Sequence, residues 1–346
     1  MPRSLDRRSV MAAGAVLLAG SRLGVAAGSA KPRPKAGVNL AGAEFGRVPG
    51  RYGTEYSYPG ARHLDYFASL GMTLVRLPFR WERLQPDLFG TFDAAELKRL
   101  SDFVAAARSR QFTVVLDPHN YAKRYLAADG WRVEHHIGSA KVPNAAFADF
   151  WARLARMFRD DDGVWFGLMN EPNDMPVETW LAAANAAIAA IRAETAQNLV
   201  LVPGTNWTGA HSWEASGNQA MSGIHDAANN FAFEVHQYFD ADSSGSSPDA
   251  VSETIGTERI AEFEAWTRKN GFRAFLGEFG IANNTTSLNA GRNLLQAIDR
   301  ARDVWIGWAA WAAGPGWPDD GIFLLEPNRD GTMRAQARIL MQAARD

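Results

Sequence analysis

Short apolar runs rich in β-branched and aromatic residues alternate along the chain with longer segments in which apolar residues recur every three or four positions. The first pattern is typical of buried strands and the second of amphipathic helices. It predicts eight strands, at 37–40, 73–77, 112–116, 164–169, 199–202, 231–235, 273–276 and 304–308. Each strand is followed by a predicted helix, at 61–70, 93–109, 144–158, 178–194, 211–221 (the weakest pattern), 253–269, 287–302 and 333–344. Eight strand–helix units predict the α/β class and a single-domain (β/α)8 TIM barrel.

The first 30 residues have the pattern of an export signal. A basic segment that ends in Arg7 and Arg8 precedes an apolar stretch at 10–20 and a small-residue region at 25–30. The apolar stretch is too short for a membrane span, and the adjacent arginines indicate the twin-arginine route. We predict a signal at 1–30, a short basic leader at 31–36 that acts as a flexible tether, and the barrel domain at 37–346. The mature protein is expected to be periplasmic or secreted, without stable membrane association; an uncleaved N-terminal anchor is the alternative.

Composition excludes several classes of protein. The 346 residues include no cysteine, which rules out disulfides, thiolate nucleophiles and cysteine-bound metal centres. Lysine and arginine total 36 against 38 acidic residues, and this balance argues against a nucleic acid partner, which needs a basic surface. A hydrophobic fraction of 47% argues against disorder.

Polar and aromatic residues follow the predicted strands repeatedly. A parallel barrel gathers the carboxyl ends of all its strands on one face, so these separate residues are expected to meet in one cleft. Two carboxylates together with histidine, asparagine, arginine and tryptophan favour the hydrolysis of a sugar linkage. The residues that carry this pattern are Asn39, Arg76, Asp117, His119, Asn120, Tyr121, Asn170, Glu171, Asn206, Trp207, His236, Tyr238, Glu278, Trp308 and Trp311.

Two glutamates carry the chemical hypothesis. Glu171 and Glu278 each close an apolar run on a different strand, where an unpaired carboxylate is costly. Glycoside hydrolysis needs one carboxylic acid to protonate the departing oxygen and a second carboxylate to attack the anomeric carbon or activate water. Because these roles require opposite ionisation, Arg76 is expected to hold one glutamate ionised while the nearby negative charge raises the pKa of the other. A purely structural alternative is that each glutamate caps the next helix or pairs with an arginine.

Seven motifs occur in order along some 290 residues, and together they connect the chain to a family. They are GVNLAGAEF (37–45), VRLP (75–78), DPHNY (117–121), VWFGLMNEP (164–172), VHQYFD (235–240), GEFG (277–280) and WAAG (311–314). On these motifs the chain resembles glycoside hydrolase family 5, the retaining cellulase-like (β/α)8 barrels. It is most similar to their endo-β-1,4-glucanase subfamily of secreted enzymes.

The resemblance implies a role for each matching residue. Glu171 is implied as the acid/base and Glu278 as the nucleophile, with Asn170 bonding the sugar 2-hydroxyl. Arg76 and Tyr238 are implied to orient Glu278 and keep it ionised. The subsite where the bond breaks is implied to be lined by His119 and His236, with a platform at Trp311.

The same resemblance implies a retaining endo-β-1,4-glucanase that acts on soluble β-glucans or cello-oligosaccharides with no metal or cofactor. Because a covalent intermediate can be intercepted by another sugar, transglycosylation is an expected side reaction. A β-mannanase or a mixed-linkage β-glucanase on the same barrel is the nearest alternative. A non-catalytic carbohydrate-binding protein is the alternative from another class.

Further aromatic and acidic residues receive their own interpretation. Tryptophan and tyrosine present rigid faces on which pyranose rings stack. Five aromatic residues near strand ends are therefore predicted to form flanking subsites: Trp81, Tyr121, Trp207, Trp213 and Trp317. The segment 240–245 is similar to the start of a calcium loop, but Val251 stands where a glutamate is required, so a solvated loop is predicted. The segment 134–136 (Glu-His-His) is likewise predicted to be a surface loop and not a metal site.

Overall fold

Eight parallel strands close into a barrel in the computed structural model, which describes residues 31–345. The strands are β1 (Lys35–Leu40), β2 (Leu74–Phe79), β3 (Thr113–Pro118), β4 (Lys123–Tyr125), β5 (Glu134–His136), β6 (Val164–Gly167), β7 (Val200–Pro203), β8 (Phe231–His236), β9 (Ala274–Glu278) and β10 (Trp305–Ala313). All except β4 and β5, which form a separate hairpin, belong to the barrel. The barrel order is β1-β10-β9-β8-β7-β6-β3-β2, and β2 pairs with β1 to close the ring.

Helices follow the strands in the order that the sequence predicts. They are α1 (Ala61–Ser69), α2 (Trp81–Leu84), α3 (Ala94–Arg108), α4 (Asn144–Phe158), α5 (Val177–Glu194), α6 (Ile255–Lys269), α7 (Thr285–Arg300) and α8 (Ala335–Arg345). Side-chain caps fix some of the boundaries: the Asp93 carboxylate accepts from the backbone of Ala95 and Glu96 at the start of α3. The (β/α)8 prediction is confirmed, and residues from Pro32 onward form one compact unit.

Inward-facing residues of the barrel strands form two layers of different chemistry. The lower layer is apolar and takes side chains from most strands: Leu74, Val115, Trp165, Leu201, Ala232, Phe275 and Ala309. Because side chains alternate along a strand, the positions two residues further on face the same interior. Three of these positions carry buried charges, Arg76, Asp117 and Glu234, which we call the charged layer. Two others are Gly167 and Gly277, whose missing side chains leave room for those charges.

The structure corrects three local predictions. The weak helix at 211–221 is not an α-helix; short 3-10 turns occupy this stretch, including Ala210–Ser212 and Asn218–Gly223, because Gly217 (φ +74°) interrupts the helical backbone. The basic leader ends earlier than predicted, since its last two residues pair in β1 with β10. The segment 134–136 is strand β5 and not a loop, and its His135 lies 2.6 Å from Asp129.

The predictions for the start of the chain concern export and membrane association. The predicted signal at 1–30 lies outside the described residues. Within residues 31–345, no helix has both the length and the apolarity needed to cross a membrane.

Candidate active site

Arg76 lies at the centre of the barrel mouth and connects residues from several strands. It is fully buried on β2, where its Nη1 donates to Glu278 Oε1 at 2.8 Å and to Asn39 Oδ1 at 3.0 Å. Its Nη2 donates to Asn170 Oδ1 at 2.9 Å. One planar guanidinium therefore fixes a catalytic candidate and two amides through charge-assisted hydrogen bonds.

Two further carboxylates of the charged layer surround the same guanidinium. The Nε of Arg76 lies 2.9 Å from Glu234 Oε1, and its Nη1 lies 3.0 Å from Asp117 Oδ2. Burial by itself lowers the pKa of Arg76, but Asp117, Glu234 and Glu278 outweigh burial and raise it. The arginine is therefore a permanent cation under the cleft.

Glu278 is the last residue of β9 and is held by two donors. Arg76 contacts Oε1, and the Tyr238 hydroxyl donates to Oε2 at 3.1 Å. Burial raises the pKa of Glu278, whereas His236 and Arg76 act in the opposite direction. The contact with Arg76 thus favours the ionised form of Glu278, whereas burial favours its protonated form.

Glu171 stands four residues beyond the end of β6 and is more exposed than Glu278, with 15% of its side chain accessible against 5%. Its φ of +42° is a conformation that residues with a side chain rarely adopt, a kind of backbone strain common at functional sites. Its Oε1 lies 2.7 Å from Nδ1 of His236, whose Nδ1 is also 3.6 Å from Glu278 Oε2. One oxygen of Glu171 and one of Glu278 lie within 4.8 Å of each other.

His236 is expected to be protonated over most of the physiological range. Burial lowers the pKa of His236, but Glu278, Glu171 and Glu234 outweigh burial and raise the pKa to about 10. The imidazole therefore supplies a second positive charge between Glu171 and Glu278. The contact of 2.7 Å joins this imidazole, through Nδ1, to a carboxylate oxygen of Glu171.

The other residues predicted for the reacting subsite meet at the same rim. His119 Nδ1 lies 2.8 Å from Asp117 Oδ2, and its ring stacks on Trp311 with 5.8 Å between centroids. The buried Nδ2 of Asn170 has no hydrogen-bond partner in the described part of the chain. An orphan donor at that position fits a contact to a substrate hydroxyl, since buried polar groups are normally paired.

Three of the five predicted subsite aromatics lie at the cleft. Tyr121 and Trp207 line a cavity of about 690 Å³ together with Glu171, and Trp207 is 49% exposed. Trp317 packs edge-on against Trp311, with 5.9 Å between ring centroids. These positions allow stacking with sugar rings near the two glutamates.

The other two aromatic predictions are wrong. Trp81 and Trp213 are both 0% exposed. Trp81 begins α2 and packs against Phe150, and Trp213 packs against Phe263 of α6. Each follows a strand, but the chain turns back there into the apolar layer between strands and helices.

Sequence reasoning also missed a residue of the site. The sequence pattern places Glu234 only within the predicted strand 231–235, although an acidic residue inside a buried strand is unusual enough to be a signal. The same pattern places Asp117 at a strand end and gives it no role. Glu44 is a further omission: it is buried beside the subsite, burial raises its pKa to about 7 against the effect of His119, and one of its oxygens has no hydrogen bond.

The same cluster has side chains of the types that bind metal ions. Within residues 31–345, Glu171, His236 and Glu278 are the group whose donor atoms have the spacing of a metal site. The Arg76 guanidinium, 2.8 Å from Glu278, and the imidazolium of His236 already place positive charge there, which electrostatically disfavours a cation.

Comparisons with known proteins agree with this geometry. Residues 33–314 match the model of the cellulase family (glycosyl hydrolase family 5). The endo-β-1,4-glucanase B of Aspergillus niger is 36% identical over 321 residues, which cover 91% of this chain and 92% of that protein. The solved structure of an endo-β-1,4-glucanase from Xanthomonas axonopodis pv. citri has a TM-score of 0.86 at 45% identity, covering 90% of this chain and 98% of that one.

A third comparison includes a bound saccharide. The structure of XacCel5A in complex with cellopentaose has a TM-score of 0.86 at 43% identity and covers 90% of this chain and 99% of that one. The family match spans most of the described barrel, including every strand and both glutamates. The chain therefore belongs to the cellulase family, glycosyl hydrolase family 5, and is a glycoside hydrolase.

Proposed function

We propose that this enzyme is a retaining endo-β-1,4-glucanase in which Glu278 is the nucleophile and Glu171 the acid/base. The observation that carries the proposal is the pair of carboxylates, with oxygens within 4.8 Å of each other at one rim of the barrel. Retaining glycosidases place these groups about 5–5.5 Å apart, whereas inverting ones leave about 6.5–9.5 Å for a water molecule. The short spacing favours the double displacement.

The contacts of each glutamate support the division of roles. Glu278 receives hydrogen bonds from Arg76 and Tyr238, which stabilise a carboxylate, and it is the deeper of the two. Glu171 is nearer to solvent, and its Oε1 lies 2.7 Å from Nδ1 of His236. A buried carboxylate with fixed donors suits attack on carbon, and a more accessible group with a proton supply suits acid/base work.

The reaction then has two steps. In the first, a Glu278 oxygen bonds to the anomeric carbon while that carbon's bond to the leaving oxygen breaks and Glu171 protonates the leaving oxygen. In the second, Glu171 takes a proton from water, which displaces Glu278 and restores its carboxylate. The free Nδ2 of Asn170 is positioned to bond the sugar 2-hydroxyl, a contact expected to strengthen in the transition state.

The substrate class rests on the relatives and on the shape of the cleft. Relatives that share the whole barrel are named endo-β-1,4-glucanases, and one structure holds cellopentaose. Aromatic residues near the two glutamates support the binding of a sugar chain at the cleft. Parallel reducing-sugar assays on carboxymethylcellulose, barley glucan and galactomannan test this; faster release from galactomannan would favour the mannanase alternative. Saccharide binding without any release would favour a non-catalytic protein.

The roles of the two glutamates are tested by chemical rescue. Glu278→Ala removes the nucleophile and is expected to abolish turnover, and azide added in its place should restore cleavage with an inverted glycosyl azide. Glu171→Ala is the matched variant: azide there should intercept the covalent intermediate and give the retained product. If Glu171→Ala gives the inverted product, the two roles are reversed.

Two further expectations belong to the proposal. The covalent intermediate should also pass to a sugar acceptor, so products longer than the starting cello-oligosaccharide are expected at high oligomer concentration. We also propose that the chain is exported and that its first 30 or so residues are removed. N-terminal sequencing of the protein recovered outside the cytoplasm tests the export: a start near residue 31 supports it, and an intact Met1 contradicts it.

A further inference from the structure

Glu234 is a buried carboxylate to which the two-step reaction gives no role. It lies on β8 in the charged layer, 1% exposed, and neither of its oxygens makes a hydrogen bond in the described part of the chain. Gly277 has no side chain, and a Cβ there would lie 2.1 Å from Glu234 Oε1. The barrel thus keeps space for this buried carboxylate.

Glu234 lies between two cations of the site. Its Oε1 is 2.9 Å from Nε of Arg76 and 3.5 Å from Nε2 of His236. That imidazole nitrogen is buried and has no hydrogen-bond partner among residues 31–345. The other nitrogen, Nδ1, faces Glu171 at 2.7 Å. His236 therefore stands between the buried carboxylate of Glu234 and the acid/base.

A charge count shows why an ion pair with Arg76 is an incomplete account of Glu234. The single guanidinium already contacts Asp117 and Glu278 at 3.0 and 2.8 Å. A third carboxylate leaves the cluster with excess negative charge, which has to be balanced by protons on nearby groups. The groups able to take them are His236, which touches Glu171, and His119, which touches Asp117. Of these two histidines, Glu234 lies near His236.

We propose that Glu234 is a positioning residue that, through His236, sets the alkaline limit of the enzyme's pH range. The negative charge of Glu234 stabilises the imidazolium and fixes the ring with Nδ1 towards Glu171. His236 then keeps its proton beside the acid/base to higher pH than it would without Glu234. This inference rests on the proposed function, because it assigns to Glu171 the delivery of a proton.

The charged and titratable groups that face His236 define what has to be controlled. They are Glu234 on β8, Glu171 after β6, Glu278 on β9, and Tyr238, whose hydroxyl donates to Glu278. Arg76 and Asp117 complete the cluster from β2 and β3. Asp117 offers a matched comparison, since it is buried like Glu234 and contacts the same guanidinium, but its imidazole partner is His119.

The test compares Glu234→Gln with Asp117→Asn. Each variant removes one buried negative charge at constant size. The alkaline limb of the pH profile of kcat/KM is expected to move to lower pH by about one unit or more in Glu234→Gln, and by less than half as much in Asp117→Asn. Glu234→Asp, which keeps the charge, should stay close to the wild-type limb. Equal shifts in the two charge-removing variants, or a lower melting temperature with an unchanged profile, would overturn the proposal.

A measurement without substrate separates this inference from the proposed function. Nitrogen-15 spectra of the histidine rings, with His236 assigned by its loss in His236→Asn, give the pKa of His236 in the free enzyme. We expect it to lie above the ordinary value of 6.5 and to fall by about one unit or more in Glu234→Gln. A wild-type value of 6.5 or lower refutes the inference even if glucan is cleaved and even if Glu234→Gln does not fold. Failure to cleave glucan with the expected titration refutes only the proposed function.

Discussion

At the scale of single residues, two tryptophans that follow the same strand, β7, have opposite environments. Trp207 lies after β7 with half of its surface exposed in the cleft, whereas Trp213, six residues later, is fully buried between the barrel and α6. Both stand in short 3-10 segments or directly after one. Their substitution should therefore separate binding from stability.

Trp207→Ala is expected to lower kcat/KM on long β-glucans by about fivefold, because one stacking face worth about 1 kcal/mol is lost. Its melting temperature should remain close to that of the wild type. Trp213→Ala should instead lower the free energy of unfolding by about 3–5 kcal/mol, the cost of a large cavity in the core. Steady-state kinetics and urea titration of both variants check this, and a reversed pattern would contradict the assignment.

The buried position of Glu278 gives a second residue-scale prediction. As the proposed nucleophile, Glu278 must be ionised, so kcat/KM is expected to fall as the pH drops through its pKa, which burial raises above 4.5 against the opposing effects of His236 and Arg76. The acid limb of the profile should therefore have its midpoint above pH 4.5. Tyr238→Phe removes a donor to the carboxylate and should move that limb upward by about half a unit or more. A limb below pH 4.5, or a downward shift in the variant, would contradict this.

Candidate site residues were predictable from the sequence only where a reactive side chain also stands at a strand end. Glu171 and Glu278 stand at strand ends, where a barrel collects its reactive groups, so a list of strand-end residues finds them. Glu234 lies inside a strand, and only the alternation that places it under His236 reveals it. Trp213 could not be assigned from the sequence, because an aromatic residue after a strand packs inward or outward according to how the next turn folds.

At the scale of elements, the segment after β8 contains both a surface loop and Tyr238, which donates to Glu278. The Asp240 carboxylate accepts from the backbone of Gly245, Ser246 and Ser247, so the loop at 240–248 is closed on itself. The predicted solvated loop is therefore ordered by its first acidic residue. The ring of Tyr238, whose hydroxyl donates to Glu278, packs against Gly245.

Gly245→Ala is expected to reduce kcat several-fold. Gly245 has a φ of +73°, and a Cβ there would lie 2.7 Å from the Tyr238 ring, so the loop or the ring has to move. Gly271→Ala is the matched control, since Gly271 has a φ of +68° but no atom within 4 Å of an added Cβ. Both should lose about 1 kcal/mol of stability through backbone strain. Equal activities of the two variants would show that the Tyr238 contact is unimportant.

The strands were easier to predict than the segments between them. A buried strand is a short apolar run, and all eight barrel strands occur within a few residues of their predicted positions. The stretch 211–221 has apolar residues at helical spacing but also two glycines nearby, Gly209 and Gly217, and forms 3-10 turns. The β4–β5 hairpin depends on a three-residue pairing that no periodic pattern marks.

At the scale of the whole molecule, the two ends of the barrel carry different kinds of residues. The carboxyl ends of the strands carry the two glutamates, and the amino ends carry structural contacts such as that between Arg192 of α5 and Asp226 before β8. The Asp226 carboxylate is buried and accepts from Arg192 at 2.6 and 2.8 Å and from the backbone of Ala228 and Asn230. This contact fixes the segment that enters β8.

Asp226→Asn is expected to lower stability and leave kcat/KM unchanged below the melting temperature. Burial alone raises the pKa of Asp226, but hydrogen bonds from Arg192 outweigh burial and lower it. Because the folded-state pKa is depressed, the contribution is fully present above the unfolded-state value of about 3.9 and is lost as the pH falls through the folded-state pKa. Urea unfolding should show a loss of about 2 kcal/mol at pH 7 that shrinks towards pH 2. A loss that does not depend on pH would contradict this.

The contacts of Arg76 limit how such an enzyme can be redesigned. Every charged group beneath the cleft touches this guanidinium or a neighbour of it, so no single member can be exchanged without disturbing the rest. Libraries aimed at a different polysaccharide should therefore leave the charged layer intact and vary the rim, where Trp207 and the loop at 240–248 line the cavity beside Glu171. Selection on such libraries should recover changes in sugar preference far more often than changes in bond-breaking chemistry.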